Sequence, residues 1–131
     1  MKVVMAAVVE KDGKYMICRR GPGRRLEGVW EFPGGKLEAG ETPEEGLARE
    51  LREELKIETE IGQILDAQLE SEFHEFIILY YRARIISGEP ALTEHSEINM
   101  CAPQSSCHMS FLPPMQRRLS GWRACNFKPH F

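Results

Sequence analysis

The sequence lacks the features that mark several protein classes. Its 131 residues hold no apolar run long enough to cross a membrane. The apolar N-terminal stretch meets Glu10 too early for a secretory signal, so we expect a cytoplasmic protein. The net charge of −3 argues against a partner that is a nucleic-acid polymer. The length fits one domain, and we favour a monomer.

Cysteines are also few, and their spacing is not that of a metal site. The four are Cys18, Cys101, Cys107 and Cys125, and no two of them form a C-x-x-C pair. We therefore expect reduced thiols and no zinc site.

The order of the apolar segments predicts an α/β fold. Apolar and β-branched residues predict strands at 2–10, 15–19 and 29–32, and further strands within 57–65 and 73–86. One long helix lies between these groups of strands. This arrangement indicates an α/β sandwich around a mixed sheet.

The predicted helix has well-marked ends. Thr42 stands at the N-cap, Pro43 at the first helical position and Glu45 at the third, which is a capping box. Leucines recur every four residues and predict a buried stripe. We expect the helix to end near Lys56.

The polar face of this helix carries a cluster of carboxylates. Glu50, Glu53 and Glu54 are spaced i, i+3 and i+4, so their like charges repel on one side of the helix. A hard divalent cation such as Mg²⁺ would offset that repulsion. The alternative is a solvated acidic face that forms ion pairs with Arg49 and Arg52.

A glycine pair precedes the helix and favours the metal-site interpretation. Gly34 and Gly35 let the backbone approach a phosphate or a metal ion closely. From Gly35 onward the chain reads G-x5-E-x7-R-E-L-R-E-E-L-K-I, ending at Ile57. This segment resembles the Nudix box, G-x5-E-x7-R-E-U-x-E-E-x-G-U, where U is bulky and aliphatic. Lys56 replaces the usual glycine, and we expect this change to affect stability and not chemistry.

The segment Leu26–Gly35, L-E-G-V-W-E-F-P-G-G, resembles the MutT branch of that family. The resemblance covers about residues 1–98. It implies a Nudix α/β/α sandwich that uses Mg²⁺ or Mn²⁺ to hydrolyse a nucleoside triphosphate, such as 8-oxo-dGTP, to the monophosphate and pyrophosphate. The implied partner is a small-molecule nucleotide.

The resemblance also implies roles for single residues. Glu50, Glu53 and Glu54 would hold the metal ion and act in catalysis, with the Gly34 carbonyl and Glu94 as further ligands. We favour Glu50 as the residue that activates water, and the other glutamates remain alternatives.

Further residues match supporting and substrate-binding positions of the family. Glu41 and Arg49 would pair and hold the loop against the helix. The implied substrate-binding residues are Arg20, Glu31, Phe32, Pro33, Gly34 and His74. Simpler roles remain open for three of them: Arg20 as a strand-end surface charge, Phe32 as plain core, and His74 as a surface histidine.

The tail from Asn99 to Phe131 does not fit this family. It contains four basic residues and no Asp or Glu. Met115 falls where the family has an Asn or Asp that reads the base, and methionine cannot make those hydrogen bonds. Permitted codons read one nucleotide early can restore P-E-L-L and P-P-A-D in the family's order. We therefore hypothesise a frameshift near codon 99, with a genuinely divergent tail as the alternative. We expect the tail to be poorly ordered or irregularly packed.

Two other functions remain open from the sequence. The box defines diphosphate chemistry but not the attached group, so ADP-ribose or a dinucleotide is an alternative substrate. The changed base-reading position also leaves a catalytically impaired nucleotide-binding module as an alternative.

Overall fold

The computed structural model describes residues 2–24, 27–70 and 75–101, which form seven strands and one helix. In chain order these are β1 (Lys2–Lys11), β2 (Lys14–Arg20), β3 (Trp30–Glu31), β4 (Gly34–Lys36), α1 (Pro43–Leu55), β5 (Glu58–Glu70), β6 (Phe76–Ser87) and β7 (His95–Cys101).

Strand β1 is the centre of the sheet. One edge pairs in parallel with β6, and β6 pairs antiparallel with β5. The other edge of β1 is shared, since β4 pairs with Val4–Ala6 and β2 pairs with Glu10 and Lys11. Strands β3 and β7 both pair antiparallel with β2. The sheet is therefore mixed, which confirms the predicted α/β class.

Helix α1 begins as its sequence predicts. The Thr42 side chain accepts a hydrogen bond from the Glu45 amide at 3.2 Å, and the Glu45 carboxylate accepts one from the Thr42 amide at 3.4 Å. After Leu55 the chain leaves the helix through Lys56, which has φ +60° and ψ +36°. This left-handed conformation is the one for which the family uses glycine.

The core lies on both faces of β1 and β2, because successive residues of a strand point to opposite sides. One cluster packs under α1 and includes Leu47, Leu51, Leu55, Met5 and Cys18. The other cluster includes Tyr15, Ile17, Trp30, Phe32 and Tyr80. The helix is thereby fixed against one face of the sheet, with its polar side directed away from that core.

Several predictions about secondary structure were incomplete. Strand β4 was missed, since the chain continues in extended form through Gly34–Lys36. Strand β7 was also missed, and it includes Asn99–Cys101, where no strand pattern was visible. Strand β5 extends to Glu70, beyond the predicted segment.

The prediction for the cysteines was correct in part, and several other predictions concern residues outside the described ranges. Cys18 is a free buried thiol, as expected, but Cys101 is disulfide-bonded, so the expectation of reduced thiols is wrong for Cys101. His74, Met115 and the tail beyond Cys101 lie outside the described residues. Within the described ranges, no helix is long and apolar enough to cross a membrane.

Candidate active site

A cluster of carboxylates lies at the C-terminal half of α1. Glu54 shares a side-chain hydrogen bond with Glu94, from the loop that leads into β7. Burial, together with the negative charges of Glu50 and Glu94, raises the pKa of Glu54 to about 8. The structure therefore brings Glu50, Glu54 and Glu94 together, although Glu94 is 40 residues from Glu54 in sequence.

The loop that carries Glu94 is attached to the end of the helix. The Ala91 amide donates a hydrogen bond to the Leu55 carbonyl at 2.9 Å, and the Thr93 hydroxyl donates one to the Glu54 carbonyl. The last carbonyls of a helix have no partners within the helix, so such bonds satisfy them. These contacts place Glu94 beside Glu54.

Arg49 connects the remaining acidic residues. Its guanidinium binds both oxygens of Glu41, at 2.8 and 3.0 Å, and contacts Glu50 at 3.0 Å and Glu53 at 3.2 Å. The hydrogen bond from Arg49, with one from the Glu38 amide, lowers the pKa of Glu41 to about 2. Glu53, whose side chain is 60% exposed, is the more solvent-accessible of the two glutamates that Arg49 contacts on the helix.

The backbone at Gly34 and Gly35, here called the glycine corner, is in close contact with its neighbours. A Cβ atom on Gly34 would lie 1.9 Å from the Met5 carbonyl oxygen, and one on Gly35 would lie 2.3 Å from Cδ of Glu50. Strand β4 holds both glycines against β1. The Glu50 carboxylate therefore lies directly against the backbone of the corner.

The cluster has the chemistry of a site for a hard cation. In the described ranges, no three His, Cys, Asp or Glu side chains already adopt metal-ligand geometry. Arg49 binds an oxygen of Glu50 and one of Glu53. A partly buried carboxyl with a raised pKa, such as Glu54 beside Glu94, is nevertheless a group whose charged form Mg²⁺ or Mn²⁺ would stabilise. Arg52 pairs instead with Glu58.

A second polar group lies on the helix-facing side of β2. Arg20 donates a hydrogen bond to one carboxylate oxygen of Glu31 at 2.9 Å, and His95 Nε2 lies 3.1 Å from the other oxygen. Phe32 and Pro33, by contrast, are buried, and the Phe32 ring packs edge-to-face against Tyr80 at 6.1 Å. The predicted substrate-binding residues thus separate into a polar group and core residues.

Sequence reasoning missed two residues of this region. Arg24, in the loop after β2, donates a hydrogen bond to the Glu94 carboxylate at 2.8 Å. His95 is buried, and its only sequence signal was its place directly after Glu94. Neither contact follows from local spacing, because both depend on how the loops fold over the sheet.

The fold and the carboxylate cluster define a hydrolase with a helix-borne acidic site. The chain belongs to the NUDIX domain family, whose model matches residues 1–118. This match extends beyond residues 1–98, the range over which the sequence itself resembles the family. Enzymes of this family generally use a divalent metal ion.

Known proteins agree with this assignment. The chain is 32% identical over 111 residues to a CTP pyrophosphohydrolase of Escherichia coli, an alignment that covers 84% of this chain and 82% of that protein. It is 36% identical over 127 residues to an 8-oxo-dGTP diphosphatase of Haemophilus influenzae, with coverages of 88% and 86%. The crystal structure of a MutT protein from Methanosarcina mazei matches with a TM-score of 0.80 and 25% identity, over 97% of this chain and 96% of that one.

Proposed function

We propose that this Nudix hydrolase converts a nucleoside triphosphate to the monophosphate and pyrophosphate, with a divalent cation held by Glu50, Glu54 and Glu94. The observation that carries the proposal is the side-chain hydrogen bond between the partly buried Glu54 and Glu94, with the charge of Glu50 also acting on Glu54. Three carboxyl groups in one place are electrostatically unfavourable unless they are protonated or share a cation.

The cation would be Mg²⁺ or Mn²⁺, because all the donors are oxygens. The Gly34 carbonyl is a further candidate ligand, since β4 brings it to the same corner. Glu53 is more exposed and is the outermost member of the set. A cation bound here would neutralise phosphate charge and lower the pKa of an attacking water.

Other protein side chains would activate the water, hold the loop and contact the substrate. Glu50, which lies against Gly35, is our choice for accepting the proton of the attacking water. Arg49 and Glu41 hold the loop against the helix through their two-point ion pair. Arg20 is on the same face of the sheet and would contact phosphate oxygens of the substrate.

The substrate class rests on two kinds of support. The MutT-like segment before Gly35 favours nucleoside triphosphates, and 8-oxo-dGTP is our first candidate. CTP is the direct competitor, because it is the named substrate of the E. coli relative. ADP-ribose tests the alternative class of nucleoside diphosphate derivatives.

The test is release of pyrophosphate from 8-oxo-dGTP, dGTP and CTP, and release of AMP from ADP-ribose, with Mg²⁺ and with Mn²⁺. We expect turnover of a triphosphate and a loss of roughly a hundredfold or more in Glu54→Gln. Glu60→Gln is the matched control, since Glu60 forms an exposed ion pair with Arg84 and should change nothing. Wild-type rates in Glu54→Gln would overturn the metal assignment.

A separate comparison tests the choice of Glu50. If Glu50 holds the cation and also accepts the proton, Glu50→Gln keeps a low kcat even when Mn²⁺ is saturating. If Glu50 is only a metal ligand, saturating Mn²⁺ restores the kcat of Glu50→Gln.

A further inference from the structure

The polar group on β2 includes a buried histidine, His95, that has no role in the catalytic scheme proposed above. The side chain of His95 is only 1% exposed, and its Nε2 lies 3.1 Å from an oxygen of Glu31. The other oxygen of Glu31 binds Arg20 at 2.9 Å. Glu31 therefore bridges a buried histidine and the arginine proposed to contact substrate.

The direction of the hydrogen bond follows from the chemistry of the two groups. A carboxylate paired with an arginine can only accept, so His95 Nε2 must carry a proton and donate it. Within the described residues, His95 Nδ1 is buried without a hydrogen-bond partner. The histidine thus makes one directed polar contact there, and that contact is with Glu31.

An irregularity in strand pairing places His95 in this position. Strands β2 and β7 pair residue for residue up to Arg19, which lies opposite Glu97. The register then shifts, so that Arg20 lies opposite His95 and not opposite Ser96. Bulges of this kind redirect side chains and are common beside active sites.

The three residues also share a face with the carboxylate cluster. Cys18 pairs directly with Glu31 across β2 and β3, so their side chains lie on the same side of the sheet. The charges of Glu31 and Glu54 both act on the Cys18 thiol. Arg20, Glu31 and His95 therefore face the region in which Glu54 lies.

We propose that His95 is a positioning residue that fixes Glu31 and thereby aims Arg20 at the phosphates of the substrate. The residue that touches substrate is Arg20, and His95 acts through the Glu31 carboxylate. This inference rests on the proposed function for its consequence in catalysis, but the contact itself can be tested independently.

Two amide variants provide the test, because they differ in reach. The amide nitrogen of glutamine can occupy the place of Nε2, whereas that of asparagine reaches only the place of Nδ1. We expect His95→Gln to keep a KM within about threefold of the wild-type value, and His95→Asn to raise it about tenfold with a smaller change in kcat. Equal KM values in the two variants would overturn the proposal.

A double-mutant cycle separates positioning from general loss of structure. If His95 acts through Arg20, His95→Asn should have no further effect on KM in an Arg20→Gln background. The same tenfold rise in both backgrounds would show that His95 supports the structure in another way. Glu31→Gln supplies a second variant in case His95→Asn does not fold, and it should raise KM to a similar extent. A wild-type KM in Glu31→Gln would contradict the proposal.

A spectroscopic measurement decides the case even if no nucleotide is turned over. In ¹⁵N NMR spectra, the Arg20 Nη1–H signal, from the group that binds Glu31, should be slow to exchange in the wild type and in His95→Gln. In His95→Asn it should exchange markedly faster. A signal that is unchanged in His95→Asn would refute the positioning role, whereas an inactive wild type with the expected spectra would refute the proposed function alone.

Discussion

Replacing Lys56 by glycine should stabilise the protein. Lys56 ends α1 with φ +60°, and its amide donates a hydrogen bond to the Arg52 carbonyl at 3.1 Å. A side chain in this left-handed conformation costs about 1–2 kcal/mol, and glycine avoids that cost. Part of the gain is lost because glycine has more freedom in the unfolded chain, which leaves about 1 kcal/mol.

Thermal unfolding of the metal-free protein is the assay. A gain of this size should raise Tm by about 3–5 °C for a domain of this length. Lys56→Ala is the matched control, because it removes the exposed charge but keeps Cβ, and it should give no such gain. If Lys56→Ala stabilises as much as Lys56→Gly, or if Lys56→Gly does not stabilise, the reasoning from backbone conformation is wrong. Turnover should be unchanged in both variants.

The site supports three further predictions. Gly34→Ala should destabilise the fold, because its Cβ would meet the Met5 carbonyl backbone at 1.9 Å, and a small loss in Tm would contradict this. Gly35→Ala should instead reduce activity with little change in Tm, since it displaces the movable carboxylate of Glu50; an unchanged rate would count against that reading. Without metal, wild-type stability should fall as pH rises from about 4.5 to about 8, because the raised pKa of Glu54 favours its protonated form in the fold. Urea titrations should show a weaker fall in Glu54→Gln, and identical slopes would refute the assignment.

Local signals predicted the parts of the fold that depend on local chemistry. The capping box at Thr42, the leucine stripe and the end of the helix at Lys56 each arise from residues a few positions apart. The antiparallel β1–β2 hairpin follows in the same way from Asp12-Gly13, and both of these residues have positive φ. For such elements the sequence contains nearly all the determining interactions.

Elements that depend on distant partners were harder to predict. Strand β7 has a buried residue only at each end, His95 and Cys101, so its sequence shows no alternation of apolar residues. It forms because β2 offers a free edge, which is a property of the assembled sheet. Strand β4 is three residues long and forms by pairing with β1.

The candidate site shows the same division. Helical spacing was enough to identify Glu50 and Glu54, and the family pattern pointed to Glu94. The contact between Arg24 and Glu94 depends on a loop, and the His95–Glu31 contact depends on a bulge. The periodicity of the sequence reveals neither the loop contact nor the bulge. The roles given to these residues remain predictions until they are tested.

Binding of Mn²⁺ to the metal-free protein, measured by calorimetry, tests most directly whether the carboxylates hold a cation. We expect the wild type and Glu60→Gln to bind Mn²⁺ alike, and Glu54→Gln to bind it at least about tenfold more weakly. Equal Mn²⁺ affinity in Glu54→Gln and the wild type would contradict a metal site formed by Glu50, Glu54 and Glu94.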